Sequence, residues 1–77
     1  PPLSEVPGPG EQNLWRSWFS SWTDTYGVEY FSDGFEWVAR RGQTVLHVSS
    51  DNVGVKRPES LREPIRDLVA LGLKRLP

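Results

Sequence analysis

The sequence predicts an α+β domain in which two helices cover one face of a three-stranded antiparallel sheet, in the order α-β-β-β-α. Three observations carry this expectation. Bulky residues recur at helical spacing in residues 11–22, two glycine-containing dipeptides separate three strand-like segments between residues 28 and 49, and aliphatic residues repeat at helical spacing from Leu61 onward. A chain of 77 residues has room for one thin core, and nine aromatic residues suit it because large rings bury much area each.

Residues 1–10 hold Pro1, Pro2, Pro7, Pro9, Gly8 and Gly10, which remove amide donors and add backbone freedom. They are expected to form a flexible tail, with residues 11–77 as a single small α+β domain. Over residues 11–22, Leu14, Trp15, Trp18, Phe19 and Trp22 trace one stripe of a helix, with Arg16, Ser17, Ser20 and Ser21 on its other side. Ser and aromatic residues are mediocre helix formers, so this helix has to be held by docking its stripe. Trp18, Phe19 and Trp22 are assigned to the core, and Trp15 is the ring left over as a partly exposed anchor.

Residues 28–32 and 35–40 read as a hairpin closed by Asp33-Gly34, since Asp-Gly supplies the positive φ angles of a two-residue turn. Arg41-Gly42 then closes a second hairpin into residues 43–49, whose Thr44-Val45-Leu46-His47-Val48 run is rich in β-branched residues. Two such turns set a register in which Tyr30, Trp37 and Leu46 form the core row. The opposite face then carries Glu29, Val38 and Val45 beside Phe31, Glu36 and His47. Beyond a polar loop, Leu61, Ile65, Leu68, Val69 and Leu76 mark the second helix, starting at a Ser60/Glu63 capping box or, after a turn at Pro58, at Pro64. Gly72 is read as interior to that helix.

The chemistry-bearing residues exclude more than they assign. With no cysteine and one histidine, the chain holds no disulfide, no thiolate site and no His-based zinc set, and no cofactor or metal is expected. The glycines spell neither a phosphate-binding loop nor a dinucleotide fingerprint, and no serine sits in a nucleophile elbow, so the chain reads as non-catalytic. Cysteine-free composition favours an intracellular setting, and no apolar run approaches the ~20 residues that span a bilayer.

Two surfaces remain as candidates. The first is the sheet face away from the helices, with Phe31, Val38, Val45, Glu36 and His47, joined by Trp15; it suits a protein partner or a homodimer, helped by an open edge at residues 28–32 or 44–48. The second is an anion site at the start of the last helix, from Lys56, Arg57, Arg62 and Arg66, where helix dipole and charge agree. Charge is uneven along the chain: residues 1–55 carry seven carboxylates against three arginines, residues 56–77 six cations against three carboxylates.

The order of helix, three strands and helix resembles the double-stranded RNA-binding domain over about residues 11–76. The resemblance implies RNA contacts at the start of the second helix, where that family carries a lysine-rich cluster and this chain has Lys56, Arg57 and Arg62 among Pro58, Glu59 and Glu63. The leading expectation is a protein-interaction or regulatory binding module; nucleic-acid binding through the basic helix start is the alternative.

Overall fold

The computed structural model describes residues 1–76 and contains one four-stranded antiparallel sheet and one helix. Strands β1 (Ser4–Glu5), β2 (Gln12–Thr23), β3 (Glu29–Arg41) and β4 (Thr44–Asp51) lie side by side in chain order, followed by a 3-10 turn (Pro58–Leu61) and helix α1 (Arg62–Lys74). The expected three-stranded sheet with two helices is therefore corrected: residues 12–23 are a strand, and among the described residues the C-terminal helix is the one α-helix. The helix-sheet-helix order behind the likeness to the RNA-binding domain goes with it.

The aromatic spacing in residues 14–22 satisfies a helical stripe, yet it satisfies a strand with two aromatic faces equally well. In β2, Trp15 and Phe19 fall on one face with Asn13 and Ser17, while Leu14, Trp18 and Trp22 fall on the other. What decides is that three of the four rings find an aromatic neighbour on β3 and the fourth, Trp18, lies over Gly34. Trp15 stacks on Phe35 at 5.9 Å and meets Trp37 edge-on at 5.7 Å, Phe19 meets Phe31 at 5.9 Å, and Trp22 stacks on Tyr30 at 5.7 Å. Cross-strand ring pairs of this kind stabilise sheets, and the mediocre helix propensity of Ser, Thr and Trp gives no opposition.

β3 runs through Asp33-Gly34 without turning. Gly34 pairs with Trp18 in the middle of the ladder, and the indole lies so close over its backbone that an added Cβ would collide with the ring and with the Ser50 carbonyl oxygen. The glycine serves close approach, not a bend. The β2–β3 connection comes earlier, at residues 24–28, where the Asp24 amide donates to the Val28 carbonyl. The β3–β4 turn is one residue later than Arg41-Gly42: Gly42, at φ +60°, and Gln43 are its two central residues, as in a type II′ turn.

With β3 continuous, residue parity changes below Asp33. Phe35, Trp37 and Ala39 face inward with Leu46 and Val48, whereas Tyr30 moves to the outer face and Phe31 to the inner one. Tyr30 thus leaves the expected core row, while Trp37 is fully buried. The core unites Trp15, Phe35, Trp37, Ala39, Val69 and Leu73, flanked by Val6, Leu46, Val48, Val53, Leu61, Ile65 and Leu76. Trp15 is core, and Trp18, Phe19 and Trp22 lie outside it, the reverse of the helical reading.

Two polar groups organise this core. Buried Asn13 accepts hydrogen bonds from the Gly10 amide (3.0 Å) and from Trp37 Nε1 (3.3 Å), and its Nδ2 donates to the Gly10 carbonyl (3.0 Å). The N-terminal segment, read from sequence as lacking any ladder, is held there: Ser4 and Glu5 pair with Trp15 and Leu14, and the Val6 amide donates to the Asn13 carbonyl. Buried Asp33 accepts the Val55 amide on its carboxylate (2.9 Å) and the Asn52 amide on its carbonyl (2.7 Å), which ties the loop after β4 to β3. At the other end, Arg41 donates to the carbonyls of Leu73 (2.6 Å) and Leu76 (3.0 Å), satisfying acceptors that a helix C-terminus leaves open. Gly72 lies inside α1 against Leu46.

Replacing Trp37 by Ala removes the largest fully buried side chain and one of the two hydrogen bonds to Asn13 Oδ1, so it should destabilise by about 3–5 kcal/mol in denaturant unfolding. Gly34→Val should also destabilise, by about 1–3 kcal/mol in denaturant unfolding, because β3 has no slack under the Trp18 ring even though Val is a good strand former.

Candidate interaction surface

β2 and β3 are longer than the strands beside them, and the molecule measures 52 × 20 × 18 Å. β1 reaches only Trp15 on one side, and β4 ends opposite Gly34 on the other. Residues 18–34 therefore continue as a two-stranded arm, ~20 Å of ladder at the usual rise per residue. Isolated two-stranded ribbons are marginal in water, so the arm needs its own support.

Rings and one carboxylate provide it. Six of the nine aromatic residues lie here: Trp18, Phe19, Trp22, Tyr26, Tyr30 and Phe31. Phe19 and Phe31 pair on the face that α1 covers further down, and Trp22 and Tyr30 pair on the open face. Trp18 is held between Gly34 and the Arg16 guanidinium, whose carbon lies 5.2 Å from the ring centroid. At the tip, Asp24 accepts hydrogen bonds from the amides of Tyr26 (2.8 Å) and Val28 (3.0 Å) and from the Tyr30 hydroxyl (3.0 Å). The Val28 amide is the strongest influence, and with the other two donors it outweighs the opposing desolvation and holds the Asp24 carboxyl below the ordinary carboxylate range.

These pairs leave much ring surface in water. Trp22 is 52% and Tyr26 90% exposed, and Phe19, Val28, Tyr30 and Phe31 are exposed as well. The same stretch is acidic: from Ser17 to Ala39 there are four carboxylates, Asp24, Glu29, Asp33 and Glu36, and no lysine or arginine. At its base, Phe19 and Phe31 line a shallow hollow with Asp33, Gly54, Val55 and Lys56.

The sequence-predicted partner residues are split by the fold. Val38, Val45, Glu36 and His47 share the open face, Phe31 lies on the opposite face within the arm, and Trp15 is buried. On the open face Glu36 is the hub, 16% exposed at its side chain, accepting Arg16 Nε at 2.6 Å and His47 Nε2 at 2.5 Å. An ionised carboxylate can only accept, so His47 carries its proton on Nε2 there. Burial is the largest single influence on Glu36 and disfavours its charge, but the hydrogen bonds and charges of Arg16 and His47 together prevail and hold its pKa below the usual 4.5.

The predicted anion-site residues are all exposed. Lys56 borders the hollow at the arm base, Arg57 precedes the 3-10 turn, Arg62 begins α1, and Arg66 pairs with Glu63 at 3.5 Å. Among the described residues no group of three or more His, Cys, Asp or Glu side chains is placed to hold a metal ion, and no helix is long and apolar enough to cross a membrane. Of the arm's rings, Phe31 is among the sequence-predicted partner residues, whereas the helical reading puts Trp18, Phe19 and Trp22 in a core and the expected hairpin register puts Tyr30 in the core row. The signal available was the cation-free, aromatic and acidic composition of residues 17–39.

The ion ladder makes a pH-dependent claim. Because the folded pKa of Glu36 lies below its unfolded value, its contribution is present above about pH 4.5 and is lost as pH falls through the folded pKa. Wild type should therefore melt above Glu36→Gln at pH 7, with the gap closing toward pH 3 in a calorimetric series.

No protein-family model matches this chain, and neither the curated proteins nor the solved structures contain a match.

Proposed function

We propose that this chain is a non-catalytic protein-interaction module whose binding element is the aromatic arm formed by the outer halves of β2 and β3. The observation that supports this most directly is the concentration of exposed rings on a projecting ribbon, far beyond the scattered hydrophobes of an ordinary surface. Trp and Tyr serve well as anchors because they bring large contact area with few rotatable bonds, and cross-strand stacking has already reduced the freedom of Trp22 and Tyr30.

The charge of the arm selects the partner. Exposed rings on a strand also suit stacking with nucleic-acid bases, but such platforms are interleaved with cations, and this one carries carboxylates alone from Ser17 to Ala39, with Arg16 and Lys56 at its base only. A phosphate backbone is repelled there. The fitting occupant is a protein surface with apolar hollows rimmed by Lys and Arg, for which Asp24 and Glu29 provide steering.

The test is capture from a cell extract with wild type and with a Trp22→Ser/Tyr30→Ser double variant, followed by crosslinking of whatever is retained. Wild type should retain protein that survives nuclease treatment and crosslinks within residues 19–31, while the variant should lose it with its core intact by near-ultraviolet dichroism. Equal capture by both proteins, or loss of capture after nuclease, would defeat the proposal.

A further inference from the structure

The two edges of the sheet are built differently. β1 is two residues long and lies among Pro1, Pro2 and Pro7, which have no amide to offer a neighbouring strand. β4 presents eight residues, with no proline, lysine or arginine among them, and among the described residues no strand pairs with its outer side. It thus lacks the common devices that keep a long edge from pairing. An apolar groove runs beside that edge between β4 and α1, lined by Leu46, Val48, Leu68, Leu71, Gly72 and Arg75. Leu68 and Leu71 are 51% and 44% exposed, although they flank the most deeply buried turn of α1. The free backbone groups and the groove ask for the same occupant: a strand alongside β4 that carries apolar bulk beneath it.

We propose that this occupant is a second copy of the chain, with the two β4 strands pairing antiparallel about a two-fold axis near His47 to form one continuous sheet. The contact is self-complementary at each level. Leu46 comes opposite the partner's Val48 on the inner face, and Asp51 opposite the partner's Gln43, so like charges do not meet along the strands. The two α1 helices then lie antiparallel, with Leu68 against the partner's Leu71.

Charge order along α1 identifies a second copy, in this orientation, as the occupant. On the stripe of α1 beside Leu68 and Leu71, Glu63 and Asp67 come first and Lys74 last, whereas Arg62 and Arg66, also in the first half, fall on the other side of the helix. With a rise of about 1.5 Å per residue, a two-fold axis between Leu68 and Leu71 sets Asp67 within about 3 Å of the level of the partner's Lys74, a gap those side chains span, and the reverse pair follows by symmetry. A parallel arrangement would place each charge beside its like. The arm takes no part in this contact, so the dimer and the arm's binding role stand or fall separately.

Sedimentation equilibrium of the full chain, combined with hydrogen exchange at several protein concentrations, tests the dimer. Wild type should sediment at twice the chain mass, and the β4 amides that do not bond β3 should gain protection as concentration rises. Leu68→Lys/Leu71→Lys and Leu68→Glu/Leu71→Glu should each stay folded, since both positions are exposed, and should each weaken self-association by about a hundredfold or more. Mixed in equal amounts, the two variants should form a heterodimer. A wild type that remains a monomer with rapidly exchanging β4 amides overturns the proposal, as does a dimer that neither double variant weakens.

Discussion

The Trp18 indole lies close against the backbone of Gly34, and the rest of the architecture follows from what that contact permits. Any side chain at position 34 would have to displace the Trp18 indole and would press on the Ser50 carbonyl of β4. With hydrogen there, β3 stays straight and paired from Glu29 to Arg41. One continuous strand means one continuous alternation, so Phe31, Asp33, Phe35, Trp37 and Ala39 share a face with no interruption. That single row joins the core under α1 to the ring pair of the arm. A turn at the same place would have reversed the parity and dismantled both.

Polar groups complete what the row begins. A buried amide or carboxylate is costly unless its bonds are made, and Asn13 and Asp33 each make theirs to chain segments with little regular structure of their own. Asn13 brings residues 4–10 against Trp37, and Asp33 draws residues 52–55 to the root of the arm. Arg41 does the same for the last turn of α1. The loops are positioned from within the sheet by three side chains, which is how so short a chain closes over its core.

Much of this was readable in the sequence wherever the signal was local. The β-branched run at residues 44–48, the turn next to Arg41 and the aliphatic repeat from Leu61 each depend on neighbours within a few positions, and each corresponds to a real element. Trp37, Leu46 and the shared face of Glu36 and His47 survived although the turn lies one residue later than Arg41-Gly42, because that displacement slides the β3–β4 register by two and leaves every side chain on its face. The errors came where short-range signals are degenerate. A spacing of one and three fits a helix stripe as well as a two-faced strand, and Asp-Gly fits a turn as well as a site of close approach. Choosing between these needs the partner strand, because Trp22 has reason to be in a ladder only if Tyr30 is beside it. The two-residue pairing of Ser4 and Glu5 is shorter than any periodicity can reveal.

The division of the four tryptophans has an optical consequence. Trp15 and Trp37 are enclosed in the core beneath α1, whereas Trp22 is half in water and Trp18 is pressed between a guanidinium and a glycine backbone. Indole emission shifts to the red and becomes accessible to collisional quenchers in proportion to its contact with water. The fluorescence of this protein is therefore a composite, with a blue, protected component from the body and a red, quenchable one from the arm. A neutral quencher such as acrylamide separates the two without any label, so that loosening of the ribbon and melting of the core are distinguishable in one cuvette.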